Sequence, residues 1–134
     1  MNASLDWDGK MGFTAVGDSG HPIQIDVGAD HGGNDAGPKP MELLLFALGS
    51  CSGVDVVSIL QKMNFKLDSV KIEIQGTRAE SFPKKFTGIH LVFKISGEGL
   101  KLERLNHAVD LSLAKYCSVA GSLSATITYE VMIG

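Results

Sequence analysis

Two cysteines are the residues best suited to chemistry in this chain of 134 residues. Cys51 lies inside the apolar stretch LLLFALGSCSGVDVVSIL, and Cys117 lies inside KYCSVAGS. A free cysteine is often a small buried hydrophobe, but its thiolate is a nucleophile. Each cysteine can therefore be interpreted as core packing or as a redox group.

Small residues surround the first cysteine, because Gly49, Ser50, Ser52 and Gly53 flank Cys51. Each glycine costs a helix about 1 kcal/mol relative to alanine, so core packing alone gives little reason for two of them. The composition favours an interpretation in which another backbone, a substrate or a second sulfur approaches Cys51 closely.

Asp55 follows Cys51 by four residues and shares its face of a helix. A carboxylate opposes the formation of a neighbouring thiolate, so we expect Asp55 to bind backbone or a lysine rather than to activate Cys51. Cys117 follows 66 residues after Cys51, and the four histidines are scattered. This spacing matches neither a Cys-x-x-Cys pair nor a zinc motif, and it predicts no metal site.

A long helix must position Cys51. Pro40 suits the first position of a helix, Glu42 favours the positive end of its dipole, and the helix is predicted to run to about Met63. Up to Leu48 it is apolar on every side, which is typical of a helix buried all round. Because a small domain cannot cover such a helix alone, the sequence predicts a homodimer.

The remaining segments alternate between strand and helix patterns. They predict short strands within residues 2–26, a glycine-rich loop at 28–40, two antiparallel strands at 70–76 and 89–96, a helix with apolar residues at 102, 105, 109 and 113, and a final strand at 125–133. This order predicts an α+β fold in a single domain over residues 1–134.

Charge and hydropathy exclude several classes of function. The net charge is −3 with no basic block, so nucleic acid and an anionic membrane surface are not expected partners. No secretory signal opens the chain, and the run from Leu43 to Leu48 is too short to span a bilayer. We therefore expect a soluble, cytoplasmic protein.

The stretch AGPKPMELLLFALGSCSGVDVVSIL, together with the later LSLAKYCSV, resembles the OsmC-like family of osmotically inducible and organic hydroperoxide resistance proteins. The likeness covers essentially the whole chain. It rests on a long helix that holds a cysteine, and on a second helix that ends at the second cysteine. The resemblance implies an intertwined homodimer in which two long central helices pack between sheets.

The resemblance also implies a chemistry, that of a stress-response peroxidase without a cofactor. Cys51 would attack an organic hydroperoxide, and Cys117 would capture the sulfenic acid that forms. An external dithiol would then reduce the disulfide.

The chain departs from the family pattern at the groups that activate the thiol. The family lowers the thiol pKa with an arginine from the first strands. A glutamate that lies ten residues before the cysteine holds this arginine in place. Here Met41 stands at the glutamate position, Glu42 points away from Cys51, and no arginine precedes the helix. Arg78 and Lys10, each from the same chain or from the partner subunit, are the remaining candidate cations. These gaps predict a weak peroxidase from the less characterised branch of the family.

Two other functions stay open. The first is a non-catalytic dimer of the same fold that binds a small apolar ligand or senses redox state. The second is another thiol chemistry such as sulfur transfer, which no distinguishing residue indicates. The distance between the sulfurs of Cys51 and Cys117 and the cation nearest Cys51 would separate a peroxidase from a non-catalytic protein.

Overall fold

The computed structural model describes all residues from 1 to 134. The chain divides into two units, Met1–Leu44 and Leu45–Gly134, each with its own sheet. The boundary falls inside the long helix. The single domain over 1–134 stays a prediction.

The first unit is a three-stranded antiparallel sheet in the order β1-β2-β3. As the sequence predicts, its strands are short, and they are β1 (Ala3–Trp7), β2 (Phe13–Gly17) and β3 (Ile23–Ile25). The chain turns after β1 at Asp8-Gly9, where Gly9 has a φ of +92° that favours glycine.

A buried carboxylate organises the glycine-rich loop that follows β3. Asp26 accepts hydrogen bonds from the backbone N–H groups of Val27, Asn34 and Ala36 at 2.8, 3.1 and 3.2 Å. The loop is otherwise irregular apart from one 3₁₀ turn, Ala29–His31. The Asp26 carboxylate thus adds three bonds to the backbone hydrogen bonds within the loop, such as that from the N–H of Asp35 to the carbonyl of Val27 at 3.0 Å.

The long helix α1 runs from Pro40 to Lys62, close to the predicted bounds. Its first turn is capped because Glu42 Oε2 accepts a hydrogen bond from the backbone N–H of Lys39 at 2.9 Å. Beyond its end, Asn64 takes a left-handed φ of +66°, a common way for a helix to terminate.

The second unit holds a sheet in the order β4-β5-β6. The two predicted antiparallel strands are confirmed and are longer than expected, as β4 (Lys66–Arg78) and β5 (Phe86–Glu98). The final strand β6 (Thr126–Ile133) pairs parallel to β5. Parallel pairing needs a long crossover, and α2 (Leu102–Leu111), a π-helical turn (Ser112–Tyr116) and α3 (Ser118–Ser122) supply it.

The core of this unit lies on one face of the sheet. Alternate side chains of β5 are buried there, together with residues from α1 and α2, namely Ile89, Leu91, Phe93, Ile95, Leu48, Val56, Leu60, Leu105, Ala108 and Val109. The predicted apolar spacing of α2 holds for Leu105 and Val109. It fails at Leu102, in the first turn of the helix, which is 49% exposed.

The two glycines of α1 lie against the sheet. A Cβ atom at Gly49 would lie 2.5 Å from Cδ1 of Ile74, and one at Gly53 would lie 2.9 Å from Cδ1 of Ile72. A larger residue at either position would displace the end of an isoleucine side chain, so the glycines favour close packing of α1 on β4. The sheet is thus one of the groups that the small residues were expected to admit, and close packing on it gives core packing the reason for two glycines that the sequence did not suggest.

A single chain buries only one face of α1, and the second subunit expected to cover the rest of the helix stays a prediction. By length and composition alone the helix could cross a membrane, with a mean hydropathy of 2.0 over a window that is one-third buried. The prediction from sequence took Leu43–Leu48 as the longest apolar run and therefore underestimated the length of the apolar helix. The core helix of a soluble protein has the same composition, and here one face of α1 packs on the chain's own sheet. Phe46 and Val54 on the other side are 55% and 69% exposed.

Candidate functional site

Cys51, Asp55 and Cys117 converge in the second unit, and we call them the thiol cluster. Both sulfurs and one carboxylate oxygen of Asp55 lie within 4.8 Å of one another. Helix α1 supplies Cys51 and Asp55, one turn apart, and Cys117 follows the π-helical turn. The expected approach of the two thiols is present in the structure, whereas their chemical roles stay predictions.

The π-helical turn sets the position of Cys117. The backbone N–H of Cys117 donates to the carbonyl of Ser112, five residues earlier, at 2.7 Å. Cys117 is also the N-cap of α3, since its Sγ accepts a hydrogen bond from the backbone N–H of Ala120 at 3.4 Å. Single π-helical turns are frequent at functional sites. Here the turn ends α2 and delivers the second sulfur to the first.

The two thiols differ in their surroundings. Cys117 is buried, with 5% of its surface exposed, whereas Cys51 is half-buried. Burial raises the pKa of the Cys117 thiol, the neighbouring Cys51 raises it further, and the hydrogen bond from Ala120 acts against both. Cys117 is therefore a protonated thiol at neutral pH.

A serine fixes the carboxylate of the cluster. Ser112 Oγ donates to Oδ2 of Asp55 at 2.9 Å, and it lies 3.5 Å from the carbonyl oxygen of Ser52. The partner of Asp55 is thus a hydroxyl, and the prediction of backbone or a lysine is wrong. Sequence reasoning missed Ser112, because nothing in the spacing of two residues 57 positions apart indicates their contact.

The other predicted site residues are engaged elsewhere. Glu42 caps the start of α1. Arg78 Nε donates to the carbonyl of Lys84 at 2.7 Å, and Lys10 Nζ donates to Asn34 Oδ1 at 2.9 Å. None of the three belongs to the thiol cluster, and the identity of the cation nearest Cys51 stays a prediction.

A cavity of about 410 Å³ adjoins the cluster and shares Asp55 with it. Most of its wall is apolar, and the lining residues are Asp55, Ser58, Ile59, Lys62, Met63, Leu111 and Tyr116. A small ligand in this cavity would contact the carboxylate that lies beside both sulfurs.

Comparison with known proteins points to one family. The family described as OsmC-like protein matches residues 32–132. Protein YhfA of Escherichia coli (strain K12) is 39% identical over 136 residues, covering 98% of each chain. A hypothetical protein from Aquifex aeolicus VF5 shares 34% identity and a TM-score of 0.81 over 99% of this chain and 96% of its own.

A more distant likeness, in fold, extends to an organic hydroperoxide resistance protein. The organic hydroperoxide resistance protein OsmC from Legionella pneumophila superimposes with a TM-score of 0.68, covering 99% of this chain and 95% of its own. The identity is 11%, so this likeness concerns the α+β fold alone.

Proposed function

Because the chain belongs to the OsmC-like family, we propose that it is a thiol-dependent peroxidase that reduces organic hydroperoxides. The observation that carries the proposal is the position of the Cys51 and Cys117 sulfurs within 4.8 Å of each other. A sulfenic acid must meet a second thiol before it is oxidised further, and a sulfur at this distance can meet it. The distant Legionella pneumophila structure is named for organic hydroperoxide resistance.

The proposed cycle transfers two electrons from the thiols to the peroxide. The Cys51 thiolate attacks the terminal oxygen of the hydroperoxide, the O–O bond breaks, and the other oxygen leaves as an alcohol after taking a proton. Cys51 is then a sulfenic acid. The Cys117 sulfur attacks it, water leaves, and a disulfide forms. An external dithiol supplies two electrons and two protons to restore both thiols.

The surroundings of the two sulfurs support this division of roles. Peroxide must reach the first sulfur, and Cys51 is the more exposed of the two. Cys117 is buried and its raised pKa keeps it protonated, which suits a thiol that reacts only with a sulfenic acid beside it. Buried thiols are otherwise inert toward external reagents.

The activation of Cys51 is the weakest part of this machinery. Cys51 lies in the middle of α1, and the effect of a helix dipole falls off within the first turn. Asp55 carries a negative charge beside the sulfur, and its only bonded partner is the hydroxyl of Ser112. We therefore expect slow turnover, unless Lys10 or Arg78 of a second subunit approaches Cys51.

A homodimer is part of the proposal. Phe46, Ser50 and Val54 lie on one exposed face of α1 at a four-residue spacing, and a second copy would cover this face. Sedimentation at micromolar concentration should show a dimer, and a well-folded monomer would refute it. The cytoplasm, where dithiol reductants are present, is the proposed compartment.

The test is the consumption of cumene hydroperoxide in the presence of dithiothreitol. The wild type should consume it, Cys51→Ser should not, and Ser122→Ala should act as wild type because its exposed hydroxyl bonds only to its own helix. Mass spectrometry after one equivalent of peroxide should show one intrachain disulfide. Cys117→Ser should instead accumulate sulfenic or sulfinic acid at Cys51. Unmodified wild-type thiols would refute the proposal.

The adjoining cavity favours one second candidate, a non-catalytic dimer that binds a small apolar ligand. Saturable binding of a fluorescent apolar dye, lost when Leu111→Trp fills the cavity, would support it if the wild type leaves hydroperoxide unchanged. Absence of saturable dye binding would remove this candidate.

A further inference from the structure

We propose that the thiol cluster binds one zinc-like divalent metal ion when both cysteines are reduced. The three donor atoms of Cys51, Asp55 and Cys117 already lie within 4.8 Å of one another. Two sulfurs bound tetrahedrally to zinc at about 2.3 Å lie about 3.8 Å apart. Small rotations of the side chains would therefore bring the donors to coordination distance.

The donor set has the chemistry of a transition-metal site. Thiolates are soft ligands that favour zinc and similar ions over magnesium or calcium, and a carboxylate oxygen is an accepted third ligand of zinc. Three protein ligands leave a fourth position for water, as in zinc sites that stay open. Sequence spacing could not reveal this site, because the crossover to β6 brings the second cysteine to the first.

The groups around the donors support the same interpretation. Carboxylates that bind metals are usually held by a hydrogen bond from outside the site, and Ser112 Oγ provides one to Asp55. The backbone N–H of Ala120 points at the Cys117 sulfur, where it would stabilise a bound thiolate. Asp55 forms no salt bridge, so its charge is free to pair with an ion.

Binding involves no change of oxidation state. As the ion binds, one proton leaves each thiol for solvent, and the carboxylate has none to lose. A disulfide between Cys51 and Cys117 would remove two donors and release the ion. If the proposed peroxidase activity is present, the ion would also block it by occupying both sulfurs; this consequence alone rests on the proposed function.

The experiment is a zinc titration of the full chain, reduced with a phosphine, in competition with a chromophoric chelator. We expect one ion per chain, and with cobalt(II) a thiolate-to-metal charge-transfer band. Cys51→Ser and Cys117→Ser should abolish both signals. Asp55→Asn should weaken zinc binding at least tenfold, and Ser112→Ala about tenfold, as is usual for an outer partner. Asp68→Asn, an exposed carboxylate on β4, should change nothing.

Wild-type binding no tighter than that of Cys51→Ser would overturn the proposal. Binding that Asp55→Asn leaves unchanged would overturn the three-donor site. Should a variant fail to fold, the wild type provides the test, because oxidation to the disulfide must release the ion and reduction must restore binding. The titration contains no peroxide, so its outcome is separate from that of the peroxidase assay.

Discussion

Replacing Gly49 of α1 with alanine would place a methyl group against the sheet. Its Cβ would lie 2.5 Å from Cδ1 of Ile74, about 1 to 1.5 Å inside an ordinary carbon contact. Overpacking of this kind costs about 1–3 kcal/mol, whereas the gain in helix propensity is about 1 kcal/mol. We therefore expect Gly49→Ala to lower the free energy of unfolding by about 0–2 kcal/mol.

Alanine substitutions at two other glycines, Gly53 and Gly121, provide comparisons for the effect of Gly49→Ala on stability. At Gly53 the corresponding distance to Ile72 is 2.9 Å, so clash and propensity should nearly cancel. At Gly121 in α3 no atom lies within 4 Å of the added Cβ. Gly121→Ala should therefore raise the free energy of unfolding by up to about 1 kcal/mol.

A double-mutant cycle in urea identifies the cause. Ile74→Val removes the Cδ1 atom and should by itself cost about 0.5–1.5 kcal/mol. In the Gly49→Ala background it should cost less or nothing, with a coupling energy of about 1 kcal/mol. A coupling below about 0.5 kcal/mol, the scatter of independent sites, would refute close packing as the reason for glycine. So would a loss of hydroperoxide turnover in Gly49→Ala that Ile74→Val does not restore.

Three further outcomes follow from single side chains. Hydrogen bonds from backbone N–H groups, of which that from Val27 has the largest effect, lower the pKa of Asp26. The Asp26 carboxylate therefore stabilises the fold above about pH 4. The difference in melting temperature between the wild type and Asp26→Asn should disappear as pH falls through that lowered pKa. Burial, followed by the hydrogen bond to Asp110, raises the pKa of Tyr129 to about 12. The difference between absorbance titrations of the wild type and of Tyr129→Phe should show a phenolate forming near pH 12. The stability that this tyrosine adds should be lost as the pH rises toward that value. Phe46→Glu should give a folded monomer by sedimentation, and a persistent dimer would exclude this face as the interface.

The order of strands and helices could be predicted because local signals fix it. Pro40 marks the start of α1, and alternation marks β4 and β5. The parallel pairing of β6 could not be predicted, because periodicity reports which face of a strand is buried and not which neighbour it joins. The π-helical turn was missed for a related reason, since the apolar spacing continues through it.

The candidate site was predicted in part. The meeting of Cys51 and Cys117 came from the family resemblance, and the place of Asp55 beside Cys51 came from its four-residue spacing. The contact of Ser112 with Asp55 joins residues far apart in sequence and left no local signal. The sequence left open whether a backbone, a substrate or a sulfur approaches the glycines near Cys51, because a small residue indicates close approach without indicating what approaches.

When the proposed disulfide between Cys51 and Cys117 forms, the hydrogen bond from Ala120 to the Cys117 sulfur would link the order of α3 to the reduction potential of the thiol pair. Forming a disulfide changes the position of that sulfur and its strength as an acceptor, and a five-residue helix has little else to hold its first turn. Any free energy by which this hydrogen bond stabilises the reduced protein therefore favours the dithiol. It raises the reduction potential of the thiol pair by about 30 mV for each 1.4 kcal/mol. By the same reciprocity, a protein that binds α3 in its capped form shifts the equilibrium toward the dithiol, and one that binds the uncapped form shifts it toward the disulfide.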